Sequence, residues 1–444
     1  MLPAKKNPAQ LGFFVLLEDL VTRKHPLFIL ANQINWQQFE DAFSPLYCAN
    51  NGRPAKSIRL MVGLLLLKHI RNVSDESIVE QWTENIYYQY FCGETNFVPC
   101  APCEASELVH FRKRIGAKGI ELIFKESVRL NGEDAKEESI KADTTVQEKN
   151  ITFPTDAKLH RKIIEKCQAL RKKEGLPVRQ SYTRTLKDLG MDQRFRSHPK
   201  NKGKAKKADQ KVKTIAGRLV REIERNLPPR SIYQKDIALF QQVPEQTKTS
   251  KNKIYSLHEP EVKCIAKGKA HKKYEFGNKA SISVTENTGV IVGALSFRNP
   301  YDGNTLNEVI KQYESIFGKA PRHLTVDRGY RGKKQIGETE IHSPKPFNDK
   351  TLNKYQQRKL RKRFRRRAGI EPVIGHLKTD HRLGRNFYKG IIGDEINVLL
   401  AAAAYNCKRM MNKWRESIFD FFQNLFFHLL FSKKILFGEL KQGF

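Results

Sequence analysis

Strand-forming sequence in this chain is confined to a few short patches, and over a hundred residues of basic, helical chain separate the first patch from the next. Ser139-Ile-Lys-Ala-Asp-Thr-Thr-Val146 has the short, β-branched character of a strand. Residues 274–284 and 290–297 supply two more, and the Asn287-Thr-Gly289 turn signal between them predicts a hairpin. A helix is expected over 305–317. Arg322-His-Leu-Thr-Val-Asp327 then reads as a strand that ends on an acid, and residues 340–344 as a last short one. Strands this dispersed, with helices between them, point to an α/β domain with a mixed central sheet and a helical block inserted after the first strand.

Residues 1–138 read as helical throughout. Ser57-Ile-Arg-Leu-Met-Val-Gly-Leu-Leu-Leu-Leu-Lys-His69 is apolar at helical spacing, and Ser74 is placed to cap a following helix, with Ser77 at its third position. Residues 106–113 open another helix, and 120–130 are amphipathic. A helix-turn-helix and a plain helical bundle both remain open here. The apolar stretch 11–17 meets Glu18 and Asp19 at once, so it is not read as a signal peptide. The Phe- and Leu-rich tail 418–437 is interrupted by Asp420, Lys433 and Lys434. Its longest strongly apolar part is too short to span a bilayer, and packing on the core or on a partner chain is expected.

The 444 residues carry 81 Lys and Arg against 47 Asp and Glu, a formal charge of +34. Solubility needs far less. A polyanionic partner, DNA or RNA, is the economical explanation, although a ribosome-associated or membrane-surface protein shares such a charge. Residues 194–213 hold nine Lys or Arg and one acid, Asp209. They read as a solvated linker or as a DNA-facing hinge between two helices, with Lys202, Lys204, Lys206 and Lys207 as candidate phosphate contacts. Eight of the ten residues 358–367 are Lys or Arg, including Arg361 and Arg365. Seven cysteines do not suggest a disulfide framework, so a cytoplasmic protein with reduced thiols is expected. Cys100 and Cys103, with Cys92 and His110 near them, have ligand-like spacing but no second pair to complete a zinc site. His323 and His342 have no identifiable partner.

Three acids sit where a sheet would gather them. Asp143 lies in or at the end of the first strand, Asp327 ends a later one, and Glu371 follows on a helix. The carboxyl ends of neighbouring strands collect functional side chains in open α/β sheets. One aspartate at a strand end is ordinarily a turn or capping residue; the order of elements around all three makes the stronger case. Carboxylates suit Mg²⁺, which prefers oxygen ligands and keeps coordination positions for phosphates. A pair of such ions can activate an attacking oxygen and stabilise a leaving one. Phe364, Arg367, Glu371 and Lys378 are spaced by three, four and seven residues, which on a continuous helix is one face. That face would place Arg367 and Lys378 beside the acid to hold phosphates; a solvated helix with ordinary ion pairs would show the same spacing. Glu148 and Asp156 are secondary candidates near Asp143, and Asp302 is read as a turn and helix cap.

Several segments, in order, resemble the DDE transposases of bacterial insertion sequences, most closely the insertion-sequence-five type. They are the stretch from Gly52 to Leu66 with Ser74-Asp-Glu76, then Gln89-Tyr-Phe-Cys-Gly93 and Phe111-Arg-Lys-Arg-Ile-Gly116, the stretch from Ala142 to Ala157, Val326-Asp-Arg-Gly-Tyr-Arg-Gly332, and Gly369-Ile-Glu-Pro-Val-Ile-Gly-His-Leu-Lys378. The superfamily signature Tyr-x2-Arg-x3-Glu-x6-Lys is met by Arg367, Glu371 and Lys378, while Phe364 stands in place of the tyrosine. The resemblance spans about residues 45–412. It implies an RNase H-like catalytic domain with Asp143, Asp327 and Glu371 as catalytic and metal-binding residues, and two Mg²⁺ ions that Mn²⁺ can replace. It also implies action on double-stranded DNA, at terminal inverted repeats and at a target, by a homodimer or higher oligomer with no membrane role. The expected layout is a helical domain over 1–138 for DNA binding or assembly, a catalytic domain over 139–416 and an apolar tail over 417–444. A basic helical insertion at about 157–250 interrupts the catalytic domain. Two other functions fit the same residues: a basic nucleic-acid-binding protein without catalysis, and a nuclease of the same fold that cuts without joining.

Overall fold

The computed structural model describes residues 16–48, 54–177, 179–228, 231–247, 249–266, 272–330, 332, 334–344 and 353–439, the side chains of 359 and 417–439 excepted. Most of the 11–17 stretch and the packing of the 418–437 tail therefore lie outside the described residues. The chain forms two units, one of Met1–Gln147 with Lys279–Phe444 and one of Glu148–Asn278.

In the first unit, helices Leu17–Leu20, Pro26–Gln33, Trp36–Phe43, Ile58–Arg71, Asp75–Glu84, Ile86–Phe91 and Ala105–Arg129 precede the sheet. Ile58–Arg71 is apolar on nearly every face and is buried from Ile58 to Ile70 except at Arg59, as expected for a helix at the centre of a bundle. Ser77 N donates to Ser74 Oγ at 3.1 Å, so the predicted cap forms. The two segments expected over 106–113 and 120–130 lie in Ala105–Arg129, which kinks at Gly116. There φ is 60° and ψ −170°, a conformation that side chains with a Cβ avoid.

The strands are β1 (Ser139–Lys149), β2 (Lys263–Ile265), β3 (Glu275–Thr285), β4 (Ile291–Phe297), β5 (His323–Thr325), β6 (Gln335–Ile336), β7 (Thr339–His342) and β8 (Arg385–Asn386). In the first unit the order is β3-β1-β5-β7-β6, with β4 on β3 and β8 on β1. The sheet is mixed: β1, β5 and β7 run parallel, whereas β3 with β4 and β6 with β7 are antiparallel. The predicted hairpin is β3–β4. Two buried amides close the outer side of β4. Asn406 accepts from Ile291 N at 3.0 Å and donates to Ile291 O at 2.8 Å, and Gln312 does the same for Ala294 at 2.8 and 3.2 Å. Both backbone groups of each residue are thereby satisfied where no further strand pairs with them. Asn406 belongs to the helix Gly390–Glu439, whose fully buried Ala401–Ala404 run lets it lie close against Ala105–Arg129 and β4.

The second unit packs helices Asp156–Lys173, Thr183–Gln193, Pro199–Asn226 and Gln234–Glu245 around Ile163, Ile164, Val212, Ile215, Leu219 and Phe240. Here the structure corrects the reading of 194–213 as linker or hinge, because from Pro199 onward it is helix. Ala205, Ala208, Val212 and Ile215 recur at helical spacing and are buried, while Lys202, Lys204, Lys206 and Lys207 are exposed. Alanine supplies an apolar stripe too small to register as hydrophobic among so many lysines, yet it is the best helix former. Among the described residues, no helix is long and apolar enough to cross a membrane.

Candidate active site

β1 and β5 pair with Ser139 opposite His323, Ile140 opposite Leu324 and Lys141 opposite Thr325. Carried two residues further, this register sets Asp143 level with Asp327. Alternation along the strands turns Lys141 and Asp143 to the same face as Thr325 and Asp327. Asp327 follows directly on the ladder, since Val326 N still donates to His342 O at 3.0 Å. Its loop curls back so that Gly329 N donates to Asp327 Oδ1 at 2.7 Å. A Cβ at residue 329 would stand 2.9 Å from that oxygen, which explains the glycine.

Asp143 is largely enclosed. Its Oδ1 accepts from Thr144 N at 2.8 Å, and its Oδ2 accepts from Arg367 Nη2 at 3.1 Å. Arg367 Nε is buried and meets no hydrogen-bond partner among the described residues. Tyr330 is 1% exposed, with its hydroxyl buried close to Thr144. Burial pushes that hydroxyl far above the usual tyrosine range, and the nearby carboxylates of Asp143, Asp302 and Asp327 push it further. It therefore stays a neutral phenol near Asp143, in the middle of β1, and Asp327, just after β5.

Glu371 stands exposed in the first turn of the helix Ile370–Asp380. The continuous helix expected through it does not exist: Lys354–Arg367 ends before it, and Ala368 and Gly369 separate the two. Pro372 is the reason. It has no N–H for the Ala368 carbonyl and its ring would clash with that carbonyl in an unbroken helix. Ala368 O instead accepts from Glu371 N at 3.1 Å. The single face predicted for Phe364, Arg367, Glu371 and Lys378 is thus divided, with Phe364 and Arg367 on one helix and Glu371 and Lys378 on the next. Lys378 is half-buried in the last turn of the second. Arg361 and Arg365 are exposed on the first.

The junction is held from below. Lys141, buried on β1, donates from Nζ to Arg366 O at 3.2 Å and Glu286 O at 3.4 Å. Burial lowers its pKa, with Glu137 and Glu286 opposing. A Cβ at Gly369 would meet that Nζ at 3.1 Å. Glu286 also lies 3.9 Å from Arg363 and 3.6 Å from Arg366. Lys141, Glu286 and Tyr330 carry no signal of their own in the sequence. Only the parity of Lys141 with Asp143 and the place of Tyr330 three residues after Asp327 hint at them.

Among the described residues, Asp143, Asp327 and Glu371 do not bring ligand atoms within 4.8 Å of one another, as His323, Glu340 and His342 do. Cys92, Cys100, Cys103 and His110 do not gather in that way either. Asp302 opens a short turn and pairs with Lys279 at 3.0 Å, but the N-cap position of the next helix is Thr305, whose hydroxyl donates back to Asp302 O at 2.7 Å. Asp156 pairs with Lys253 at 3.0 Å and Glu148 with Lys272, so both are engaged within the second unit.

Residues 15–114 match the family model described as Transposase domain (DUF772), and residues 240–407 match the Transposase DDE domain. Asp327 and Glu371 fall inside the second match, and Asp143 between the two. The "Uncharacterized protein ORF8 in nfe locus" of Rhizobium meliloti is 42% identical over 187 residues, which is 41% of this chain and 90% of that protein. No solved structure matches the chain.

Proposed function

Because the chain belongs to the DDE transposases, which cleave DNA and transfer the cut strand, we propose that Asp143, Asp327 and Glu371 are its catalytic acids. The observation that carries this is the β1–β5 register, which sets two of the acids level on adjacent parallel strands. Arg367, just before Glu371, is bonded to one of them. The fold is read as RNase H-like, and the element as one of the insertion-sequence-five type. The helical region over 1–138 would serve DNA binding or assembly of a dimer or higher oligomer, acting in the cytoplasm on terminal inverted repeats and target DNA.

An all-carboxylate donor set suits the divalent ions that this family uses, and Mg²⁺ in particular. Asp143, Asp327 and Glu371 would hold them, and when bound they supply positive charge to a phosphoryl group in transfer. The protein's own groups do the rest. Gly329 N and Thr144 N each donate to one oxygen of Asp327 or Asp143 and fix its orientation. Arg367 occupies Asp143 Oδ2 and must share or release it when a cation binds. The neutral Tyr330 hydroxyl offers a donor near the acids without adding charge. Arg361 and Arg365 present exposed cations to phosphates.

The test is a strand-transfer assay with linear DNA bearing the repeats that flank the gene, a plasmid target and Mg²⁺. Joined product is expected. Binding without cleavage would overturn the assignment in favour of a non-catalytic DNA binder, and cleavage without joining in favour of a nuclease.

Two further results are expected. Arg367→Lys keeps charge but loses the planar fork that meets Asp143, so cleavage at saturating DNA should fall about tenfold or more, the scale of losing a group that orients a metal ligand. Arg361→Lys and Arg365→Lys should be nearly silent. Equal small effects at all three positions would return Arg367 to the general basic surface. Neutralising Lys202, Lys204, Lys206 and Lys207 together should flatten the log–log salt dependence of DNA affinity by ~0.9 for each phosphate that these lysines neutralise. An unchanged slope would mean that this exposed face, where Lys204 already pairs with Asp192 at 2.8 Å, is merely solvated.

A further inference from the structure

We infer that His323, Glu340 and His342 form a transition-metal site of the zinc type, distinct from the three catalytic acids. The pleat builds it. β5 and β7 run parallel with His323 opposite Glu340 and Thr325 opposite His342. Glu340 and His342 are two residues apart, so all three side chains share one face of the sheet.

His323 Nδ1 lies 3.2 Å from His342 Nε2 and 3.3 Å from Glu340 Oε2, and His342 Nε2 lies 3.4 Å from the same Oε2. Zinc binds nitrogen and carboxylate oxygen at about 2.0–2.2 Å in tetrahedral geometry, which sets its ligand atoms roughly 3.3 Å apart. Three separations of that length are one face of such a tetrahedron. Ordinary hydrogen bonding accounts for them less well. Two imidazoles and a carboxylate that meet through one nitrogen or oxygen each cannot all be joined by linear hydrogen bonds. The half-exposed Glu340 and partly exposed His323 leave the site open to solvent, so water can complete the fourth position.

The donor types separate this site from the catalytic one. Imidazole favours zinc, copper, nickel and iron, whereas Mg²⁺ prefers oxygen, so the two centres would sort their ions by chemistry. The consequence is local. β5 has three residues and β7 four, and Asp327 follows two residues after Thr325. An ion bridging the two strands would clamp the short strand on which Asp327 depends.

The test uses the full-length protein, stripped with a chelator, equilibrated with Zn²⁺ and freed of excess metal before elemental analysis. One zinc per chain is expected for the wild type and for Asp143→Asn. His323→Ala, His342→Ala and Glu340→Gln should lower affinity by at least about a hundredfold, since even groups that only support ligands cost ten- to a hundredfold, with the circular dichroism of the wild type retained. Cobalt loading of the wild type gives a second measurement that needs no variant. The intense visible bands of tetrahedral Co²⁺ without thiolate charge transfer are expected. No retained zinc in the wild type, full retention in the histidine variants, or a thiolate-dominated cobalt spectrum would each overturn the site.

Discussion

Asp143→Asn, Asp327→Asn and Glu371→Gln should each remove strand cleavage, by about 10²–10³-fold or more, while DNA binding persists. The expected loss matches what a single preorganised electrostatic contact supplies at a reacting centre. It corresponds to roughly 3–4 kcal/mol of barrier. Each change keeps the shape of the side chain and deletes the charge that would hold a divalent ion under the proposed assignment. Affinity for DNA should stay level or rise slightly, because removing an acid from a surface that faces phosphates removes repulsion.

The three variants are not equivalent in this structure. Asp143→Asn also weakens the bond from Arg367 Nη2 at 3.1 Å, so its thermal melting must be compared with the wild type. Asp327→Asn and Glu371→Gln break no ion pair with Arg367. Mn²⁺ should support cleavage by the wild type in place of Mg²⁺, since both accept oxygen ligands. Full cleavage by any one variant in Mg²⁺ would remove that residue from the assignment.

Five of the eight described strands are legible in the sequence because each carries its own local signal, whereas β2, β6 and β8, only two or three residues long, carry none. β-branched runs at 139–146 and 322–327 and a turn at 287–289 need no tertiary contact to be recognised. Apart from the β3–β4 hairpin, their pairing is not legible. That β5 lies between β1 and β7, and that Asp143 comes level with Asp327, follows from register, which depends on residues far apart in the chain.

The basic segments show the opposite failure. Helical spacing at Phe364, Arg367, Glu371 and Lys378 runs through Pro372, which interrupts the ladder. The Ala205, Ala208 and Val212 stripe that makes 199–226 a helix is hidden among lysines. His323 and His342 show no partner in the sequence because they meet each other and Glu340 only through the β5–β7 register, which the sequence does not reveal.

Asp75→Ala should destabilise the first unit by about 3–5 kcal/mol, the cost of leaving buried cations unpaired. Asp75 accepts from Arg112 Nη1 and Nη2 at 2.8 Å each and from Lys68 Nζ at 2.8 Å. The Lys68 and Arg112 side chains are only 4% and 6% exposed. Removal of the carboxylate strands two charges in the core of the helical region. The same cluster reaches the end of the helix Ile370–Asp380. Lys68 also donates to Tyr388 Oη at 3.0 Å, His69 bonds the same hydroxyl, and His69 and His381 exchange ring-to-carbonyl bonds just beyond Asp380. Burial, with Lys68 adding to it, holds His69 well below its usual range, so it brings no third cation to the cluster.

The pH dependence follows from Asp75 itself. Burial raises its pKa, but the bonds and charges of Arg112 and Lys68 outweigh that and hold the carboxyl at about 2, against an ordinary 3.8. The folded value is depressed, so the stabilisation is fully present above about pH 4 and is lost as pH falls towards 2. By linkage it is worth roughly 2–3 kcal/mol. Urea unfolding followed by tryptophan fluorescence reports on this unit, since Trp36, Trp82 and Trp414 all lie in it. The gap between wild type and the isosteric Asp75→Asn should be wide at pH 7 and should narrow steadily below pH 4. Glu133→Gln, which removes an exposed pair with Lys136, should shift stability by no more than about 0.5 kcal/mol. An Asp75 variant as stable as that control, or a gap that stays constant to pH 2, would mean that Lys68 and Arg112 find other partners and that the cluster does not tie the helical region to the Glu371 helix.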